Sequence, residues 1–276
     1  MPKELLVPKE ILDFYGELIK VQDKFSGDLL PVTLTEKQKD TFINEKAPLL
    51  NFTGFHPEKE KVKQALLEVC RVTVEYRPQV ADKLAGIQAL ADLEEELPKV
   101  LERFLWQDKS YISELVEQHR LDGNLTSFVF FNVLKPFVAN YARNLEGQYD
   151  KNRWFERYCP VCGWKPSFAV ISAGSHRRLL HCSLCETEWP FAGLECPHCS
   201  NTDHDTLKYF TVEDDEVYRV NVCERCKGYI KTIDEEKIIT RENALITDIK
   251  TIHLDILAER EGYIKEVGIS ENKKTN

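Results

Sequence analysis

Apolar residues recur at helical spacing through roughly the first 150 positions. Ile11, Leu12, Tyr15, Leu18 and Ile19 place one apolar face on a segment of about residues 8–25. After a break at Gly27 and Pro31, Thr33 or Thr35 is positioned to cap a short helix running to Ala47. Val62, Ala65, Leu66, Val69, Cys70 and Thr73 mark a stronger helix after Pro57, and Cys70 shares its apolar face, the place of a core residue. Leu90, Leu93, Leu97, Val100, Leu101, Phe104 and Leu105 continue the pattern, with Pro98 either kinking that helix or opening another. A helix over about 108–120 stops near Asp122-Gly123. Phe130, Val133, Leu134, Phe137, Val138, Tyr141 and Leu145 then mark a long one interrupted at Pro136. Six or seven helices in 150 residues suffice for a helical bundle, and their stripes read as core. Glu94-Glu95-Glu96 reads as a solvated face. No Gly-rich phosphate loop, serine elbow or paired-histidine zinc helix occurs here, so nothing in this half looks catalytic.

Beyond 150 the period shortens. Strand-like runs 167–172 and 177–181 flank Ala173-Gly174-Ser175, a hairpin signal. Runs 206–212 and 217–222 flank the acidic loop 213–216, and 228–233 adds another short strand. The order turn, strand, hairpin, strand, turn occurs twice, in units too small to bury a core alone. The predicted class is α+β: an N-terminal all-α bundle over 1–150, then a double metal-ribbon domain over 151–276. Its parts are a module of about 157–192, a second of about 193–233, and a C-terminal helix of about 248–262. A polar tail covers 270–276.

Cysteine placement changes the picture most. Eight of the nine cysteines form four Cys-x-x-Cys turns within 68 residues: Cys159/Cys162, Cys182/Cys185, Cys196/Cys199 and Cys223/Cys226. Such a turn aims two thiolates at one ion, and two turns complete a tetrahedral four-sulfur site. Four turns therefore supply two ions, which are structural for units of this size. Gaps of 19 residues after Cys162 and 23 after Cys199 suit ribbon-type sites. Hairpin closure favours sequential pairing; the alternative joins the inner turns across their 10-residue gap and the outer two around them. Gly163 can take positive φ and let backbone N–H groups face a sulfur. Sulfur ligation suits iron or zinc alike. With four thiolates per ion, His176, His181, His198 and His204 read as surface or supporting residues.

Charge and the chain's opening narrow the remaining classes. Met1-Pro2-Lys3-Glu4 leads into a charged amphipathic stretch without a secretory signal, so a reducing, cytoplasmic setting is expected, where clustered cysteines are ligands rather than disulfides. A dithiol redox motif would be a single Cys-x-x-Cys rather than four in series. No run reaches the length of a membrane span. A net charge of -9 opposes nucleic-acid phosphates, and Lys165, Arg177, Arg178 and Lys208 make no basic stripe beside the acidic loop. An interaction scaffold is the first reading. A redox or electron-transfer iron protein is the second, and a zinc-ribbon nucleic-acid binder the third.

The turns also carry a family likeness. Arg157-Tyr158-Cys159-Pro160-Val161-Cys162-Gly163, then Arg178-Leu179-Leu180-His181-Cys182-Ser183-Leu184-Cys185 with Trp189, resemble the formate dehydrogenase accessory family FdhE. So do Cys196-Pro197-His198-Cys199, the run from Cys223 to Lys231, and the stretch from Ile252 to Tyr263. The likeness covers about residues 157–264. One departure is Pro190–Glu195, where the family usually carries a basic residue. The resemblance implies a non-enzymatic cytoplasmic assembly factor that binds the catalytic subunit of formate dehydrogenase, the subunit carrying a molybdenum or tungsten pterin. It also implies rubredoxin-like iron at the cysteines, two ions in all, with zinc as the alternative.

Overall fold

A computed structural model describes residues 7–27, 32–93, 95–212 and 216–265. The expected polar tail, most of the acidic loop and Glu94 therefore lie outside the described residues. The helices are α1 (Lys9–Phe25), α2 (Glu36–Glu45), α3 (Leu50–Thr53), α4 (Lys59–Tyr76), α5 (Ala81–Ala89), α6 (Leu97–Leu105), α7 (Lys109–Gln118), α8 (Gly123–Leu145), α9 (Ala244–Lys250) and α10 (Ile252–Arg260). The strands are β1 (Pro166–Ile171), β2 (Arg178–Cys182), β3 (Glu188–Pro190), β4 (Leu207–Phe210), β5 (Tyr218–Cys223) and β6 (Tyr229–Asp234). The class is α+β, helical first and sheet-bearing after.

Two compact units divide the chain, and the cut differs from the expected one at 150. One unit takes Pro8–Thr33 and Thr53–Glu146; the other takes Leu34–Phe52 together with the chain from Gly147 onward. Helical periodicity reveals that a segment is amphipathic but not what it docks against, and Leu34–Phe52 groups with the cysteine unit.

In the helical unit, α4 buries Val62, Ala65, Leu66, Val69, Cys70 and Thr73, as its spacing predicts. Cys70 is fully buried, and burial alone pushes its thiol up to about 12, so it is an inert core group. The face of α1 is rotated from expectation. Phe14, Leu18, Val21, Gln22 and Phe25 are buried, while Ile11, Leu12, Tyr15 and Ile19 lie half-buried on its flanks. Phe14 decides this: its ring meets Tyr76 at 5.6 Å and Phe128 at 6.0 Å. Gln22 enters the core because its Nε2 donates to Asn132 Oδ1 at 2.9 Å on α8. Pro98 opens α6 and does not kink a longer helix, because a missing N–H is harmless in the first turn. Pro136 does not end α8, which runs on through it and is buried on every side from Asn132 to Ala142. Surrounding packing holds that helix where propensity would break it.

In the cysteine unit, the six strands form one sheet of order β3-β2-β1-β6-β5-β4. The two expected hairpins are present, β1 with β2 and β4 with β5, all antiparallel. They join along a central parallel pair, Phe168 opposite Lys231 through Ile171 opposite Asp234. Each module thus completes the other's sheet. β3, too short to show a period, was not expected from the sequence; it pairs with β2 around the fully buried Trp189. The expected C-terminal helix is two, α9 and α10, parted at Thr251, whose hydroxyl donates to Thr247 O at 2.8 Å. Leu254 and Ala258 of α10 pack on Val220, Val222 and Tyr229.

Candidate metal centre

Each Cys-x-x-Cys segment folds into the same turn. The N–H of the residue after the second cysteine bonds back to the carbonyl of the first: Gly163 to Cys159, Glu186 to Cys182, Ser200 to Cys196 and Lys227 to Cys223. All four of those residues sit at positive φ, between 56° and 76°. Glycine is therefore used once, and three side-chain-bearing residues accept the left-handed cost, about 1–2 kcal/mol each. The turn also points N–H groups at sulfur: Val161 to Cys159 Sγ at 3.4 Å, His198 to Cys196 Sγ at 3.4 Å and Gly228 to Cys226 Sγ at 3.3 Å. Such donors stabilise thiolates.

The turns meet sequentially. Cys159, Cys162, Cys182 and Cys185 form site 1, and Cys196, Cys199, Cys223 and Cys226 form site 2, each with its sulfurs within 4.8 Å of one another. The inner-with-inner pairing is excluded by this arrangement. The nearest sulfur pairs are 3.2 to 3.6 Å apart in site 1 and 3.7 to 3.8 Å apart in site 2. A disulfide would need about 2.05 Å; all nine cysteines are free. A tetrahedron with metal–sulfur bonds of about 2.3 Å has edges of about 3.8 Å. The donor set therefore fits one ion per site.

Electrostatics point the same way. Burial drives the Cys159 and Cys162 thiols well above their ordinary range and pushes Cys226 up to about 11. Burial would also raise Cys223, but N–H groups of Cys226 and Arg225 and the Asn201 amide bring it down to about 7. Asn201 is itself buried, with Nδ2 3.5 Å from Cys223 Sγ. Four thiolates packed this closely repel one another, and a bound cation removes the conflict.

Supporting groups tie the sites into the fold. Leu49 and Leu50 donate their N–H groups to Pro160 O and Val161 O, at 2.9 and 3.0 Å, inside the first turn. Phe42 of α2 stacks on Trp154 at 4.7 Å, and Tyr158 donates to Lys46 O at 2.8 Å. Arg178 reaches Ala192 O and Glu195 O, at 3.2 and 2.8 Å, and so clamps the link between the modules. Arg157, just ahead of site 1, donates to His198 O at 2.5 Å beside site 2. No histidine joins either sulfur cluster. His176 and His204 are exposed, and His181 is buried against Phe168 at 4.3 Å with Nδ1 3.1 Å from Glu188. His198 sets Nε2 2.9 Å from Tyr229 O. None of these contacts was visible in the spacing of the cysteines.

Two sulfur quartets on one shared sheet define a double cysteine-ribbon protein. Residues 158–192 match the description "FdhE, central domain", and residues 194–269 match "FdhE, C-terminal domain". A protein FdhE homolog from Aquifex aeolicus is 25% identical over 93% of this chain and 86% of its own. Protein FdhE of Escherichia coli K12 is 34% identical, over 48% of this chain and 43% of that one. The FdhE crystal structure from Pseudomonas aeruginosa has the same fold, at a TM-score of 0.60 and 21% identity, covering 94% of this chain and 86% of that one. The chain thus matches both FdhE domains and is similar to an FdhE homolog along most of its length. Among the described residues no helix is long and apolar enough to cross a membrane.

Proposed function

We propose that this protein is a cytoplasmic assembly factor, without enzymatic activity of its own, that binds the immature catalytic subunit of a formate dehydrogenase. In this reading all eight turn cysteines are ligands, and each site holds one iron ion. The observation that carries it is the pair of sulfur quartets on a single sheet, in a chain that matches both FdhE domains. The ions do not act on a substrate. They lock four turns whose hydrogen bonds alone would leave four thiols crowded in each site, and so they stiffen the surface offered to the client.

The test joins genetics to biochemistry. Deleting the gene should abolish formate oxidation while the catalytic subunit is still made, and the two proteins should co-purify from the wild type. Normal activity in a deletion strain with no second copy of the gene would refute the role. Absorption of the purified protein decides the metal: red ferric-thiolate bands for iron, a colourless protein for zinc.

A further inference from the structure

The two sites share one turn and one hydrogen-bond pattern, yet they are covered differently. In site 1 all four cysteines are at most 2% exposed. Val161 and Leu184 inside its turns and Trp164 just after are also buried. In site 2, Cys196 and Cys223 are buried, but Cys199 and Cys226 are part-exposed, one from each turn. Their neighbours Ser200, Arg225 and Lys227 are exposed. An incoming ligand therefore meets sulfur from both turns at once. Lys227 beside Cys226 is paired with Glu224, which Tyr263 also bonds, so the exposed Arg225 leaves the turn one net positive charge. That balance favours the approach of an anionic ligand.

We propose that site 2 is an exchangeable metal site and site 1 a permanent one, with the ion of site 2 passing to and from an external anionic thiol or aminocarboxylate through Cys199 and Cys226. The step is ligand substitution. An external thiolate or carboxylate bonds to the ion as a cysteine sulfur leaves it, the freed thiolate takes a proton from water, and the ion keeps its valence. Accessibility sets which sulfurs can be displaced or modified. The proposal rests on reading both quartets as metal sites, and the experiment separates the two.

Full-length loaded protein is held in EDTA with N-ethylmaleimide at neutral pH. Retained metal is measured over time, and labelled peptides are mapped by mass spectrometry. We expect about two equivalents at the start and the first lost at least tenfold faster than the second. Label should fall first on Cys199 and Cys226, while Cys159, Cys162, Cys182, Cys185 and the core Cys70 stay unlabelled. A Cys199→Ser, Cys226→Ser double variant should start with one equivalent and show only the slow phase. Loss of both equivalents at one rate, or first labelling in site 1, would overturn the proposal while leaving the two-ion reading intact. Metal near zero at the start would overturn both. Should the variant fail to fold, the labelling order in the native protein still decides.

Discussion

Lys231 Nζ lies 2.6 Å from Asp255 Oδ2, a buried pair that ties the central strand β6 to the last helix α10. The same ammonium donates to Asp248 O at 2.8 Å, and Tyr229 donates its hydroxyl to Asp255 Oδ1 at 2.9 Å. Lys265 adds a second cation, 3.1 Å from Asp255 and 3.0 Å from Asp248. A buried ion pair is worth little against an apolar replacement, but removing one member strands the other. Asp255→Ala should therefore destabilise the cysteine unit by about 3 kcal/mol, read as a lower urea midpoint, whereas Asp255→Asn should cost less because it keeps the acceptor for Tyr229.

Acid should weaken the same unit. Burial would raise the Glu188 carboxyl, but His181 and Arg241 bonded to it hold it near 2, below its ordinary 4.5. Burial would raise Asp248 too, and Lys231 and Lys265 hold it low. Carboxylates depressed in the folded state contribute stability that is complete above their unfolded values and is lost as pH falls through the folded ones. The loss should run from about pH 4.5 to about 2 and reach about 3 kcal/mol for Glu188, at about 1.36 kcal/mol per unit. Burial lowers Lys231 despite the carboxylate of Asp248 beside it. Urea titrations at pH 7, 4 and 3 check this, and a Glu188→Gln variant should show a shallower slope.

Two glycines allow the sites to be damaged one at a time. A Cβ on Gly228 would stand 2.7 Å from His198 Cδ2 and 3.2 Å from Cys226 Sγ. Gly228→Ala should lower bound metal from two equivalents toward one. Gly163 stands at φ +76°, with Pro48 Cγ 3.1 Å from an added Cβ. Gly163→Ala should cost about 1–2 kcal/mol from the left-handed backbone and loosen site 1. Metal analysis with labelling of the emptied cysteines tells the two apart.

Cysteine spacing made the two sulfur quartets legible, because cysteines three apart fall on one tight turn and a hairpin brings two turns together. The hairpins beside them were legible from alternation and a turn signal. What periodicity could not show is where a helix docks: α2 reads as one more short helix of the series, yet its Phe42 stacks on Trp154. The central β1/β6 pair also escaped, since parallel neighbours 63 residues apart leave no local trace. The left-handed turn residue was read only at Gly163, because Glu186, Ser200 and Lys227 hold the same conformation without the residue that signals it.

That docking gives a last prediction. The amides of Leu49 and Leu50 are held by carbonyls inside the first turn, so their protection from exchange depends on site 1 staying closed. Changing Cys159 and Cys162 to serine removes two of the four ligands of that site. Hydrogen exchange in the double variant should then be fast at Leu49 and Leu50, with protection also lost along β1 and β2. Helices α4 and α8 carry their own buried faces, with Val69 and Val133 fully enclosed, and their amides should exchange as in the wild type. Loss of protection in α4 and α8 along with Leu49 would show that the helical unit cannot stand without the metal. Unchanged protection at Leu49 would show instead that the 34–52 segment holds its place through Phe42 and Trp154 alone.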